Sequence, residues 1–495
     1  MSEVQTKHPA SLRIFFATEM WERYGFYVVQ TLLALYLAQH FNWNDKDIYA
    51  LVGSFTALTY VSPVVGGFLA DRFLGQKRSI LIGGVILFIF YLILGLVASD
   101  DILILSLAGI AVGTGLFKPN ISSLLGNEYP ENSPKRESGF TIFYMGITSG
   151  IILGCTFPSY LVHYFNWSLS FTSAALGMLI GLAVFIVGVY RYGIKDYNPF
   201  NYQFIKIIQA VIAILFLWGG SFCILHYTAL ADFAFIGIVL ISGAYFLHSI
   251  RQESQLEARK TSVIAILCII SIIFWAFYFQ MFLSFTLFLS RVVEQTLFNL
   301  RFPPPYYVSA QSIGAIIFGI FLSRRKNYST KTPQGVQSSN KFLLSMFFMT
   351  AAFLLITLIC RFNPGPNLLS PLYFIPAYLL ISLAELLLYP VGLSAVTVLS
   401  SRNKVSTMMG VFFVSLGVGG FLSGKLAEIA AISPEQTSTI ALKAHYATAF
   451  SHITYILIAS LFVCILLNRL VKYLLSTESS IDHNSAPGLN ENKAY

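Results

Sequence analysis

Charged residues are scarce in this chain of 495 residues, in which Asp, Glu, Lys and Arg make up 11% against 56% for hydrophobic residues. Soluble globular domains carry about 25% charged residues, so the composition excludes an ordinary soluble protein. The apolar runs are separated only by short polar connections, which excludes a separate soluble catalytic domain. The sequence therefore predicts an all-α polytopic membrane protein.

Sequence motifs of several enzyme and pump classes are also missing. The chain has no GxxxxGK[ST] phosphate loop, no HExxH pair and no CxxC pair, which argues against ATP-driven transport, zinc hydrolysis and metal binding. No repeated selectivity filter of a channel is found. The cysteines stand singly in apolar runs and are interpreted as small buried hydrophobic residues. We expect no enzyme activity and no cofactor.

Long apolar segments are abundant, and fourteen of them satisfy a window criterion of about 19 residues for a membrane span. They cover residues 14–41, 48–71, 79–98, 102–126, 138–164, 168–190, 204–226, 232–250, 262–290, 305–324, 341–360, 370–399, 406–430 and 443–470. Lysine and arginine concentrate in alternate connections, so the positive-inside rule predicts that both termini lie in the cytoplasm.

The spacing of these spans predicts the domain organisation. Six spans precede residue 191 and six follow residue 262, which is typical of transporters built from two halves around a central site. The predicted units are a cytoplasmic N-terminus (1–13), an N-terminal six-helix bundle (14–190), an inserted helix pair (204–250), a C-terminal six-helix bundle (262–470) and a disordered cytoplasmic tail (471–495).

The stretch TEMWERYGFYVV places charges inside the first span. An ionised group at the centre of a bilayer costs about 3 kcal/mol on insertion scales, so such residues need partners or water. Glu19, Glu22 and Arg23 share one helix face through their i, i+3 and i+4 spacing, and Tyr27 continues that face. We expect Arg23 to pair with Glu19 or with an acid on another helix.

Polar residues in other spans extend this pattern. Lys118 in GTGLFKPN lies in the fourth span, and Glu385 in ISLAELLLYPVGLS lies in the second half of the chain. Tyr60 and Tyr144 add hydroxyl groups at membrane depth. One interpretation is a structural scaffold in which Glu19 pairs with Arg23 and Lys118 pairs with Glu385, with the tyrosines as ordinary interfacial aromatics.

The other interpretation is recognition of a zwitterion between the two halves. Arg23 and Lys118 would bind a carboxylate, and Glu385 would bind an ammonium group. Two extended residues span about 7 Å, so a dipeptide presents both charges with a suitable separation. The substrate would then favour closure of the halves around it.

The same residues resemble the proton-dependent oligopeptide transporter family of the major facilitator superfamily. The first-span motif E-x-x-E-R-F-x-Y-Y is similar to the stretch that contains Glu19, Glu22 and Arg23. GGFLADRFLGQKRS resembles the superfamily motif between helices two and three. GTGLFKPNISSLLG, FTIFYMGITSG and AELLLYPVGLS resemble family signatures, and the inserted pair is typical of bacterial members.

The resemblance implies a major facilitator fold and a proton-driven importer of di- and tripeptides in a bacterial inner membrane. We also expect the chain to act as a monomer. It implies proton coupling by Glu19, Glu22, Arg23 and Glu385. It implies substrate binding by Arg23, Tyr27, Tyr60, Lys118, Tyr144, Thr148, Gln280 and Glu385. It implies a cytoplasmic gate of Asp71, Lys77 and Arg78.

Three positions depart from the family pattern. Phe279 stands where many members have an acid before Gln280, Thr148 replaces the usual asparagine, and Phe412 replaces a frequent tryptophan. Proton coupling must then depend on the first span or on Glu385. These differences leave open an alternative substrate, such as an amino acid or a peptide-like metabolite carried by the same fold.

Overall fold

The computed structural model describes residues 7–97, 99–130, 133, 135–196, 204–324, 333–401, 404–433 and 438–476. The described chain is almost entirely helical. Its helices are α1 (Leu12–Gln39), α2 (Asp45–Leu69), α3 (Gln76–Gly95), α4 (Asp100–Asn127), α5 (Arg136–Tyr164), α6 (Trp167–Tyr192), α7 (Phe204–His226), α8 (Thr228–Gln252), α9 (Gln255–Tyr278), α10 (Ser284–Val292), α11 (Pro305–Arg324), α12 (Gln334–Phe362), α13 (Ile375–Leu399), α14 (Val405–Ala427) and α15 (Thr439–Ser476). Strands β1 (Thr296–Leu297) and β2 (Leu300–Arg301) form a short antiparallel hairpin.

Thirteen helical segments in the described residues are long and apolar enough to cross a membrane. Helices α9 and α10 together make one of these segments, which runs from Gln255 to Val292. Helix α1 is not among the thirteen, because its 28 residues include Glu19, Glu22 and Arg23. With α1 the bundle contains the fourteen predicted spans, and the all-α prediction is confirmed.

One predicted span is interrupted. The span predicted at 262–290 stops as an α-helix at Tyr278, passes through a 3-10 turn at Phe279–Phe282 and restarts at Ser284. Leu283 leaves the helical region at φ −118° and ψ −104°, which breaks the backbone hydrogen-bond ladder. The α-helix is therefore interrupted within this span.

The last helix is longer than predicted. Helix α15 continues to Ser476, so the first residues of the predicted tail at 471–495 are helical. Residues 1–6 and 477–495, which complete the predicted terminal segments, lie outside the described residues.

The two ends of the bundle differ in charge, and we name them for that difference. The basic end holds the connections at 70–75 and 128–135, and the far end holds those at 40–44 and 293–304. Most of the lysines and arginines between spans lie at the basic end. Every helix of membrane length joins one end to the other.

Two large clusters of buried apolar residues form the core. Side chains of α1–α6 supply most of one cluster, and side chains of α9–α15 supply most of the other. The halves touch where α2 packs on α14, with Gly53 against Gly424. A Cβ on Gly53 would lie 2.8 Å from the Cα of Gly424, so these two backbones approach each other as only glycine allows. This contact lies in the part of α2 nearest the far end.

The inserted helices dock on different halves. The indole of Trp218 on α7 donates to the carbonyl of Leu105 on α4 at 3.3 Å. Asp232 on α8 instead pairs with Lys425 on α14 at 2.8 Å. Helix α7 is thus held by the first half and α8 by the second.

A second ion pair connects the ends of α8 and α14 at the basic end. The ammonium group of Lys404 donates to Glu253 at 2.7 Å, and the hydroxyl groups of Thr261 and Ser249 donate to the same carboxylate. Burial acts to raise the pKa of Glu253, but the hydrogen bonds from Lys404, Thr261 and Ser249 outweigh it and hold that pKa below its ordinary value.

Candidate functional site

Three charged side chains of α1 form a buried cluster in the first half. The guanidinium group of Arg23 binds both oxygens of Glu22, at 2.5 Å from Nε and 2.6 Å from Nη2. Glu19 is more distant, with 3.5 Å between its Oε1 and Nε of Arg23. The expected pairing of Arg23 with Glu19 is therefore the weaker of two contacts, and neighbouring Glu22 is the main partner.

The two carboxylates differ in how well they are satisfied. Both are buried, and both oxygens of Glu22 accept hydrogen bonds from Arg23. The Oε2 atom of Glu19 is buried with no hydrogen-bond partner among the described residues. A buried acceptor without a partner is costly. Glu19 is therefore the member of the cluster whose protonation state is least fixed by its neighbours.

Helix α5 approaches this cluster closely because of one glycine. A Cβ on Gly150 would lie 2.3 Å from the carbonyl oxygen of Met20 and 2.8 Å from the Cβ of Arg23. Any larger residue at position 150 would push α5 away from α1. The GITSG stretch thus sets the distance between the charged face of α1 and its neighbour.

Lys118 of α4 lies near the same cluster. Its Nζ lies over the ring of Tyr60, 4.8 Å from the centroid, which is a cation–π contact. Lys118 also interacts electrostatically with Arg23, Glu22 and Glu19. It makes no ion pair with any residue of the described chain, so its ammonium group keeps donors for a ligand.

The aromatic neighbours of Tyr60 come from the second half. Phe279 packs against Tyr60 with 5.5 Å between ring centroids. Phe282, from the same turn, contacts the edge of Tyr27 at 6.3 Å. The position where many family members have an acid is therefore occupied here by a ring that covers Tyr60.

Glu385 of α13 is the acid that the second half contributes. Its Oε2 accepts a hydrogen bond of 2.5 Å from the amide of Gln311 on α11, and the hydroxyl of Tyr278 lies close by. It has no cationic partner within the described part of the chain, so the predicted structural pair between Lys118 and Glu385 does not form. Its hydrogen-bond partners among the described residues, Gln311 and Tyr278, are neutral groups.

Tyr144 of α5 lies close enough to Glu385 and Tyr389 of the second half to interact electrostatically with both. Tyr144 is 44% exposed although it lies within a helix of the bundle. The halves are thus in contact near the far end, where Gly53 meets Gly424, and separated beside Tyr144. We call the exposed space beside Tyr144 the gap; Lys118 and the buried Arg23 belong to the half on one side of it, and Glu385 belongs to the half on the other.

Two other predicted site residues direct their polar atoms elsewhere. The hydroxyl of Thr148 donates to the carbonyl of Tyr144 on its own helix. The amide of Gln280 is completely buried, donates to the carbonyls of Ala276 and Ser423 and accepts from Ser284. Gln280 could donate to a substrate only if one of these bonds breaks, whereas the hydroxyl oxygen of Thr148 can still accept a hydrogen bond.

The predicted gate residues lie at the basic end. Asp71 lies in the turn Ala70–Leu74, is exposed and makes no hydrogen bond or ion pair with the described residues. The ammonium group of Lys77 donates to the carbonyl of Ile194 at 3.1 Å, and its backbone N–H donates to Asp196 at 2.9 Å. Arg78, on the same turn of α3 as Lys77, is also exposed.

Sequence reasoning missed two features of this interface. Gln311 is the one amide side chain in the stretch YYVSAQSIGAII, whose other polar groups are hydroxyls, and that amide within a span was the available signal. Asp45, Arg291 and Tyr446 fall at or near the ends of predicted spans, but Arg291 donates to both Asp45 and Tyr446 at the far end. No cluster of three or more His, Cys, Asp or Glu side chains with metal-binding geometry was found in the described ranges.

Comparison with known proteins identifies relatives along the whole bundle. The PTR2 family model, described as the POT family, matches residues 77–448. Dipeptide and tripeptide permease A of Salmonella typhimurium (strain LT2) is 30% identical over 459 residues, covering 90% of this chain and 89% of the permease. The permease of the same name from Escherichia coli (strain K12) is 30% identical over 431 residues, covering 85% of each chain.

Solved structures of transporters share the architecture. A mutant of the peptide transporter POT in complex with alafosfalin has a TM-score of 0.79 and 26% identity, covering 94% of this chain and 96% of that one. A tetrameric crystal form of another transporter has a TM-score of 0.81 at 24% identity and covers 94% of this chain and 99% of that one. The chain therefore belongs to the POT family, whose members are transporters rather than enzymes.

Proposed function

We propose that this chain is a symporter that imports di- and tripeptides together with protons. The observation that carries the proposal is the opposition of charge across the gap, with Arg23 and Lys118 in the first half and Glu385 in the second. A carboxylate and an ammonium group at the two ends of one small molecule match this arrangement. The permeases that resemble the chain are named for dipeptides and tripeptides, which fits the same substrate class.

The charge balance of the first half explains how a proton could be coupled to the substrate. Glu19, Glu22, Arg23 and Lys118 sum to zero when all four are ionised. A substrate carboxylate that joins them adds a negative charge in a site of low dielectric, which is unfavourable. Protonation of one acid restores neutrality, and Glu19 is the better candidate because Glu22 is held by two hydrogen bonds from Arg23. Glu385 is proposed to change its protonation state when the substrate ammonium group leaves, because the carboxylate then loses its cationic partner.

Alternating access supplies the transport step in this proposal. The far end is held shut by contacts between the halves, and the gap beside Tyr144 leads towards the basic end. We assign the basic end to the cytoplasm because lysine and arginine concentrate there. Closure of that end would bring Asp71, Lys77 and Arg78 towards the second half, as ion pairs that form in one state and break in the other.

Uptake into proteoliposomes with an imposed proton gradient tests the substrate and the coupling together. We expect dialanine to accumulate against its gradient, with no accumulation when an ionophore removes the proton gradient. Free alanine is the matched control because it carries the same two charges at a shorter separation. Accumulation of alanine without any accumulation or competition by dialanine would contradict peptide transport and favour an amino-acid carrier.

Location and assembly complete the proposal. We infer a multi-pass protein of the bacterial inner membrane, with both termini in the cytoplasm, that works as a monomer. The central gap is lined by one chain, so no second copy is needed to complete it. Light scattering in detergent should give the mass of one 55.1 kDa chain after subtraction of the micelle, and a stable tetramer that alone transports would contradict this assignment.

A further inference from the structure

A second cavity lies at the far end, away from the central charges. It has a volume of about 390 Å³, within the range of about 300–1,000 Å³ that small-molecule sites occupy. Helices α1, α5 and α6 supply one wall, and the segment from Ser290 to Tyr306 supplies the other. An occupant would therefore touch both halves at once.

The lining of this cavity combines aromatic rings with one strong cation. Tyr160 and Tyr164 are stacked obliquely, 4.4 Å between centroids, and Trp167 and Tyr306 complete the aromatic surface. Arg301 provides the guanidinium group. No acidic residue belongs to the described lining, so the cation has no carboxylate partner there.

Arg301 and His163 are both exposed, and the contact between them is a poor match of hydrogen-bonding groups. Nε of Arg301 lies 3.1 Å from Nε2 of His163, and Nη2 lies 2.9 Å from Nδ1 of the same ring. Both guanidinium atoms are donors, but a neutral imidazole has only one acceptor nitrogen. One of the two contacts must therefore bring two donors together. A carboxylate has two acceptor oxygens with the spacing of the guanidinium fork, so it would bind Arg301 better than His163 does.

The position of Arg301 is set by the hairpin that carries it. The amide of Gln295 donates to the carbonyls of Leu289 and Val293, and the carbonyl of Gln295 accepts from the backbone of Phe302. These bonds fix both ends of the β1–β2 hairpin. Arg301 thus projects from a held backbone rather than from a free loop.

We propose that this cavity is a second ligand site, specific for small carboxylates that carry an aromatic group, with Arg301 as the carboxylate anchor. Stacking on Tyr160, Tyr164 and Trp167 binds the apolar part of the ligand. Because both halves line the cavity, occupancy stabilises the shut far end and slows the return to a state open on that side. The site is independent of which substrate the central gap transports.

Saturation-transfer NMR on the purified full chain tests this site directly. The probe is 3-phenylpropionate, and its uncharged amide is the matched ligand. We expect saturation transfer to the acid and little to the amide. Arg301→Gln should weaken binding of the acid at least about tenfold, the usual effect of losing a hydrogen bond to a charged group. Arg361→Gln, an exposed arginine in the last turn of α12, is the matched control and should leave binding unchanged.

Two further variants separate anchoring from other effects. His163→Phe removes the partner of Arg301 but keeps a ring, so an anchor at Arg301 predicts unchanged or tighter binding of the acid. Loss of binding in His163→Phe equal to that in Arg301→Gln would show a structural role instead. Lys118→Gln should leave the signal in place. Loss of the signal in Lys118→Gln but not in Arg301→Gln, equal binding of acid and amide, or no saturation transfer in the unmodified chain would each overturn the proposal.

Discussion

Arg291 and Asp45 join the two halves at the far end through a bidentate ion pair. The guanidinium nitrogens lie 2.8 and 2.7 Å from the two carboxylate oxygens of Asp45. The backbone N–H of Ile432 donates to the same carboxylate at 3.0 Å, and Arg291 also donates to the hydroxyl of Tyr446. The acid comes from the first half and its three donors from the second, so separation of the halves at this end must break the three hydrogen bonds to Asp45.

Asp45→Asn should favour opening of the far end. Removal of one partner from a buried ion pair costs about 3–5 kcal/mol, but Arg291 is 27% exposed at its side chain, so solvent reduces the expected cost to about 1–3 kcal/mol. Electron-resonance distances between spin labels at Lys46→Cys and Phe298→Cys, in a cysteine-free background, should gain a longer population in Asp45→Asn. Asp101→Asn, an exposed acid in the first turn of α4, is the control. An unchanged distance distribution in Asp45→Asn would show that this ion pair does not keep the far end closed.

The two acids of the α1 cluster should respond differently to removal of their charge. Glu19→Gln should abolish proton-driven accumulation but leave exchange of substrate across the membrane, because the Arg23–Glu22 pair remains. Glu22→Gln should in addition lower the thermal unfolding temperature, since it leaves the buried guanidinium group without its main partner. Accumulation and exchange assays, with a melting curve for each variant, check both expectations. Full accumulation in Glu19→Gln would remove Glu19 from the coupling step.

Lys118 is expected to bind the carboxylate end of the substrate. Lys118→Gln should reduce the preference for a free dipeptide over its C-terminal amide by about tenfold, since a charge-assisted hydrogen bond is lost. Competition by both ligands against labelled dialanine measures the preference. Lys341→Gln on α12 removes an exposed charge far from the gap and serves as the control. An equal preference before and after Lys118→Gln would place the carboxylate elsewhere.

The stability contributed by the Glu253–Lys404 ion pair should be lost at acid pH. The folded-state pKa of Glu253 lies below its ordinary value, which is about 4.3 in an unfolded chain. The stability that this lowered pKa contributes is therefore complete above about pH 5 and disappears as the pH falls through the folded-state pKa. The unfolding temperature of the unmodified chain should exceed that of Glu253→Gln by a constant amount from pH 5 to 7, and the difference should shrink below about pH 4. A difference that grows towards acid pH would contradict the direction of the shift.

The spans could be predicted from sequence because each needs only a long apolar run, and those runs are unmistakable here. The interruption of the helix at residues 279–283 could not be predicted in the same way. The letters FQMFL contain neither proline nor glycine and are as apolar as their neighbours, so nothing local indicates that the helix stops. Its cause is tertiary, since the amide of Gln280 binds the carbonyl of Ser423 on α14.

The site was predictable in its members but not in its pairings. Helical spacing brought Glu19, Glu22 and Arg23 to one face, yet adjacent residues such as Glu22 and Arg23 do not usually face each other. Their long side chains nevertheless meet, because burial leaves the guanidinium group no water to bind. The sequence also contained Asp45 and Arg291 at positions that read as ordinary helix ends, and only the packing of α2 against the second half reveals that they meet.

Because the helix is interrupted at residues 279–283, α10 is a short helix that can tilt about that point. Its nine residues measure about 14 Å along the axis, and Arg291 lies one residue from the tip. A tilt of about 20° at the break would displace that tip by about 5 Å, which is enough to pull the guanidinium group off Asp45 while α9 stays packed in its half. Opening at the far end can therefore begin with a tilt of α10 alone, without a movement of the two six-helix bundles relative to each other.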